Sequence, residues 1–179
     1  MRFTRTRKGL QGNPSAGEAQ VLRRCALDLL ELLGEREAPE QDPLAALVGM
    51  PTGDPQAPDD PALARLLPDA YGDDDPEASR EFRRYTDTDL RARKRADAEV
   101  VARMLPEGGG KVLLDRDEAD SWLGTLNDLR LVLGTRLEVS EDLDEDALAA
   151  DDARLPALQL YAWLGWLQES LLSCLDPRR

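Results

Sequence analysis

Apolar positions recur at intervals of three and four along most of this 179-residue chain, the spacing of amphipathic helices. Ser15 and Glu18 stand at capping-box spacing, with a hydroxyl to accept from the first turn and a carboxylate to reach back. Behind them Leu22, Cys25, Leu29 and Leu32 form one stripe, and Gly34 ends it. A longer helix is predicted from Pro76, a good first helical residue, to about Leu105, where Pro106 and three glycines stop it. Phe82, Leu90, Val101 and Met104 supply part of its apolar side.

Asp115 and Glu118 repeat the capping arrangement, and Trp122, Leu126, Leu129 and Leu133 follow on one stripe. Asn127, Asp128 and Arg130 fall off that stripe, so this helix has a polar back. The last helix, "LPALQLYAWLGWLQESLLSCL", is apolar over most of its circumference, with Trp163 and Trp166 away from the Leu160–Leu164–Leu167–Leu171 side. Such a helix is expected in the domain centre or against a partner.

Two short stretches read as strands: "RFTRTRK" at 2–8 and "KVLL" at 111–114, with a turn-rich "GLQGNP" after the first. Residues 15–36 align without gaps on 115–136, matching Glu18 with Glu118, Asp28 with Asp128 and Gly34 with Gly134. Shared helix grammar accounts for these matches as well as a duplication does. A duplication predicts two strand–helix units whose strands pair in one sheet. The expected fold is mainly α: a single helical domain over 1–179 with a small two-stranded β element.

Residues 37–76 hold eight of the twelve prolines, a density that forbids a long helix or central strand. They form a proline-rich acidic loop region, in which "PLAALVGM" and "PALARLLPDAY" are expected to dock as single turns. A second acidic stretch, 140–153, is expected to link the last two helices.

Composition sharpens this picture in places. There is no isoleucine, valine occurs seven times, and arginine outnumbers lysine 20 to 3. That bias resembles coding in a GC-rich genome, so arginine preference alone carries no functional weight. A net charge of −13 argues against sequence-indifferent nucleic-acid binding. Two groups run the other way: Arg2, Arg5, Arg7 and Lys8, and Arg91, Arg93, Lys94 and Arg95. These are the nucleic-acid candidates, the second group being open also to an ion-pair-laced helix surface or to an acidic partner helix. No secretory signal and no membrane-length apolar run is present, so a cytoplasmic protein with reduced cysteines and no membrane role is expected.

Little chemistry is offered. With no histidine, and two cysteines 149 positions apart, no metal site suggests itself and the commonest general base is missing. No cofactor is implied: "EGGGK" lacks the ending of a phosphate loop, and "DDD" at 73–75, which could attract a divalent cation, is read first as a solvated acidic loop. Cys25 and Cys174 fit two roles, small buried hydrophobes or a reversible disulfide between terminal helices. Arg23 and Arg24 beside Cys25 are expected to lower its thiol pKa.

"NDLRLVLGTRLEV" at 127–139, "YAWLGWLQESLL" at 161–172, "LLPDAY" at 66–71 and "EFRR" at 81–84, taken in order, resemble the actinobacterial oxidative-stress transcriptional regulator family (AosR-like), formerly a domain of unknown function. The resemblance carries structural motifs onto Leu126, Asn127, Asp128, Arg130, Gly134, Thr135, Arg136, Trp163, Trp166 and Gln168. It matches no family cysteine pair to Cys25 and Cys174. It implies a non-enzymatic, redox-responsive regulator that binds a stress sigma factor and raises cysteine-biosynthesis genes, with DNA reached through that partner. Partner-binding candidates are then Asn127, Asp128, Arg130, Arg136, Trp163, Trp166 and Gln168, and homodimerisation is compatible. The alternative is an adaptor or assembly factor linked to Clp-type protein turnover, with inert cysteines.

Overall fold

The computed structural model describes residues 1–34, 58–68, 76–140 and 152–176. These hold β1 (Thr4–Thr6), β2 (Gly9–Gly12), α1 (Ala16–Leu33), α2 (Pro61–Leu66), α3 (Pro76–Met104), β3 (Val112–Leu114), α4 (Arg116–Arg136) and α5 (Leu155–Leu175). The fold is mainly helical. Both capping boxes form: the Ser15 hydroxyl accepts from Glu18 N at 3.3 Å, and the Asp115 carboxylate accepts from Glu118 N at 2.9 Å. Each glutamate reaches back to its cap's own N–H at 2.8 Å.

The sheet corrects the expected two strands to three, antiparallel throughout and ordered β1-β2-β3. "GLQG", read as a turn, is the central strand. Its Gly9 has φ +131°, and a Cβ there would lie 2.3 Å from the Leu114 carbonyl oxygen. Close pairing of β2 with β3 needs the very glycine that made the segment look like a turn. Gly9→Ala is therefore expected to cost about 2 kcal/mol, from strain in the left-handed region added to a backbone clash, measurable as a lowered urea midpoint. Leu10 pairs with Leu114, Gln11 with Leu113 and Gly12 with Val112. The two strands read from the sequence, β1 and β3, share this sheet but do not pair with each other, because β2 lies between them.

α4 is the central helix, packing on α1, α2, α3, α5 and β3. Its Trp122 is fully buried, edge-on to Phe3 with ring centroids 5.5 Å apart and an interplanar angle of 81°. On α1 the buried stripe is Ala19, Leu22, Ala26, Leu29 and Leu33, while Cys25 and Leu32 are only half-buried. On α3, Val101 is buried but Phe82 is exposed. α5 occupies an edge rather than the centre: Leu158, Leu164, Leu167 and Leu171 are buried, and Trp166 is 48% exposed.

In the proline-rich region only 58–68 and Pro76 are described. There Asp60 caps α2, accepting from Ala62 N at 2.8 Å, and Ala62, Leu66 and Leu67 are buried. "PLAALVGM", the 73–75 acids, and 141–151 of the acidic linker lie outside the described residues. No helix among the described residues is long and apolar enough to cross a membrane.

Candidate functional site: a cleft where α2, α4 and α5 meet

Because α4 is packed on several sides, its polar back is largely enclosed, and its members have different fates. Asn127 faces solvent. Asp128 is buried against α3, where the Lys94 ammonium donates to its Oδ1 at 2.6 Å. Burial pushes the Asp128 carboxyl above the ordinary carboxylate range, and the nearby Asp97 charge pushes the same way against the pull of Lys94. Arg136 donates to Asp60 Oδ2 at 3.0 Å and ties α4 to the cap of α2.

Arg130 turns toward α5. Its Nη1 donates to Gln168 Oε1 at 2.7 Å and its Nη2 to the Tyr161 hydroxyl at 3.4 Å, while the guanidinium carbon sits 5.2 Å from the Tyr161 ring centroid. Its Nε is buried without a partner among the described residues. That nitrogen faces Gly165, whose missing Cβ would come within 3.4 Å of it. A Cβ at that distance would make only ordinary van der Waals contact with the guanidinium.

Beside this clamp is a cleft of about 390 Å³, lined by Arg65 and Tyr161 and by Arg130, Leu131, Gly134, Thr135, Glu138 and Val139. The segment that carries the resemblance therefore builds most of its wall. Glu138 closes α4: its φ is +52°, Glu138 N donates to Thr135 O at 3.3 Å, and Val139 N donates to Gly134 O at 2.9 Å. This is the paired bonding of a Schellman motif, with glutamate where glycine is the usual residue. Glu138→Gly is expected to raise stability by about 1 kcal/mol by relieving the left-handed strain, seen as a higher melting temperature.

Of the remaining candidates, the basic helical cluster is largely turned inward. Arg91 donates to Leu33 O, and Arg95 Nη1 donates to Leu30 O at 3.1 Å and Gly34 O at 3.0 Å. Both cap the negative C-terminal end of α1. With Lys94 held by Asp128, Arg93 is the member of that cluster left exposed. Arg2, Arg5, Arg7 and Lys8 are exposed around β1 and its turn. Trp163 and Gln168 are half-buried on α5.

Both cysteines are free. Burial, with Asp28 adding, pushes the Cys25 thiol up rather than down. The arginines expected to lower it are engaged elsewhere: Arg23 donates to Leu105 O, and Arg24 pairs with Asp28 at 2.8 Å. Cys174 lines a second cleft of about 290 Å³, with Arg5, Asp115 and Arg116 among its other walls. Among the described residues no three acids or cysteines gather as a metal cluster.

Sequence reasoning missed Arg65, Glu138 and Tyr161. Arg65 sits in the proline-rich region, where no periodicity links it to α4. Tyr161 was legible: with Gly165 and Gln168 it repeats at four and three on one face of α5.

Residues 1–175 match the family described as a domain of unknown function, DUF2017. The chain is 34% identical over 175 residues to the oxidative stress regulator AosR of Mycobacterium tuberculosis and to that of Mycobacterium bovis. Those alignments cover 90% of this chain and 80% of each relative. No solved structure matches it. The chain belongs to the DUF2017 family.

Proposed function

We propose that this DUF2017 chain is a regulator of the oxidative-stress response that works by binding a protein partner rather than by catalysis. The observation that carries the reading is kinship with proteins named oxidative stress regulators over 90% of the chain. The finer reading is that the partner is a stress sigma factor, that cysteine-biosynthesis genes are the output, and that thiol state is the switch. The solvent face of α5 supports partner binding. That helix has Glu169 as its one charged residue in 21, and it leaves Trp166 and Leu172 exposed. Exposed aromatic area of this kind is favoured at interfaces.

One observation favours the second reading, an adaptor in Clp-type turnover with inert cysteines. The raised Cys25 thiol holds less thiolate near neutral pH, and the thiolate is the reactive form. Cys25 is therefore expected to react with mild peroxide or maleimide severalfold more slowly than free cysteine. Intact mass and thiol counts for the wild type, Cys25→Ser and Cys174→Ser measure this directly. Binding of a stress sigma factor is then compared in the reduced and oxidised states, with Trp166→Asp as the surface variant. Binding that Trp166→Asp weakens and oxidation alters supports the regulator. Thiols that stay silent until the chain unfolds, with no sigma-factor binding, point to the adaptor.

A further inference from the structure

Arg130 brings a positive charge into a partly enclosed setting, and neither of its hydrogen-bond partners returns a negative one. Arginine remains protonated at any physiological pH. Gln168 and Tyr161 satisfy donors of its guanidinium but are neutral. Arg65 enters the same cleft from α2, exposed and with no hydrogen-bond or ion-pair partner among the described residues. The Tyr161 hydroxyl accepts from Arg130, which leaves its own proton to donate. Thr135, also in the lining, spends its hydroxyl proton on Leu131 O at 2.8 Å and offers none to a ligand. Among the described residues, the lining sets one carboxylate, Glu138, against two guanidinium groups.

A volume of about 390 Å³ lies within the range of small-molecule sites, about 300–1,000 Å³. Among the described residues the apolar share of the wall is limited to Leu131, Gly134, Val139 and the Tyr161 ring. An apolar ligand would find little to cover it. An oxyanion finds two guanidinium groups and a phenol, the donor set that recognises phosphates and carboxylates.

We propose that this cleft is a binding site for a small oxyanion ligand, a phosphate- or carboxylate-bearing metabolite held between Arg65 and Arg130 with the Tyr161 hydroxyl as a neutral donor. Glu138 sets the threshold for binding, because its charge opposes an incoming anion at the same cleft. The site is defined by its own lining and does not rest on the partner reading.

The test is a titration of the full chain, labelled with nitrogen-15, with inorganic phosphate and with citrate at fixed ionic strength. Saturable shifts are expected at the amides of Gly134, Thr135 and Glu138 and at Arg130 Nε. Arg65→Ala, a change at an exposed position, should weaken binding about tenfold. Glu138→Gln should tighten it severalfold, and Arg93→Ala on α3 should leave it unchanged. Saturation by citrate but not phosphate, or the reverse, names the class of oxyanion. Shifts that never saturate, that centre on Arg2 to Lys8, or that Arg65→Ala leaves intact would overturn the site. The opposite signs expected at Arg65 and Glu138 separate a charge-selective site from a loss of folding, which would weaken binding in both.

Discussion

Lys94→Met is expected to destabilise the fold by about 3–5 kcal/mol, the cost of leaving a buried partner charge uncompensated. Asp128 is that partner, with its side chain 4% exposed against 17% for Lys94. The two single substitutions are not equivalent. Removing Asp128 leaves Lys94 able to reach solvent along its stem, and Asp97, three residues on along α3, offers a second carboxylate. Removing Lys94 leaves Asp128 buried with the like charge of Asp97 nearby. Asp128→Ala should therefore sit at the lower end, about 3 kcal/mol. The double variant Lys94→Met, Asp128→Leu should recover much of the loss, because it removes both desolvation costs at once. Urea denaturation of the four proteins closes the cycle, and an additive double variant would show that the pair is not coupled.

The same pair fixes a pH dependence. The Asp128 carboxyl is raised in the folded chain, so between the ordinary carboxylate value and the raised one the folded state keeps a proton that the unfolded chain has lost. Its contribution to stability is fully present below the ordinary value, falls as pH rises to the folded value, and is constant above it. That is the reverse of the usual aspartate. Lys94→Met should raise the folded value further and widen the window, readable by carbon-13 titration of the Asp128 carboxyl.

Trp122→Ala is the second large effect, with an expected cost of about 3–5 kcal/mol for emptying a fully enclosed aromatic site. Trp122→Phe should cost about 1 kcal/mol, less than its lost volume suggests. The indole Nε1 has no hydrogen-bond partner among the described residues, and a buried donor left unmade costs about 1–3 kcal/mol. Phenylalanine removes that donor and keeps a ring against Phe3. Thermal denaturation of the two variants measures the difference. A phenylalanine variant as weak as the alanine one would mean that the indole nitrogen is satisfied in solution, for example by an interior water.

The helices were legible because their signals are local. Ser15 with Glu18, and Asp115 with Glu118, announce two helix starts that the structure reproduces atom by atom, and Pro106 with its glycines marks the end of α3. The third strand was not legible, because the Gly9 that permits close pairing is also the residue that suggests a turn. The fate of Arg91 and Arg95 was hidden for a different reason. Their partners are carbonyls some sixty positions away at the end of α1, and no charge pattern records a long-range cap. The polar back of α4 was visible as a pattern. That Asp128 would be enclosed and Asn127 left in solvent depended on α3 packing along one side of α4 alone. The cleft needed α2 as well, and Arg65 lies where helical periodicity is broken by proline.

The pairing of Leu10 with Leu114 has a consequence for how the chain comes into being. A strand whose partner lies more than a hundred positions downstream must wait for it on the ribosome. At about 5–20 residues per second that wait is roughly 5–20 s, during which Phe3, Leu10 and the inner face of α1 have no sheet to close over them. Contacts so distant in sequence also form late in refolding, after the local helices and the α3–α4 pair. The apolar faces of β2 and α1 are thus open to a chaperone for as long as β3 is missing.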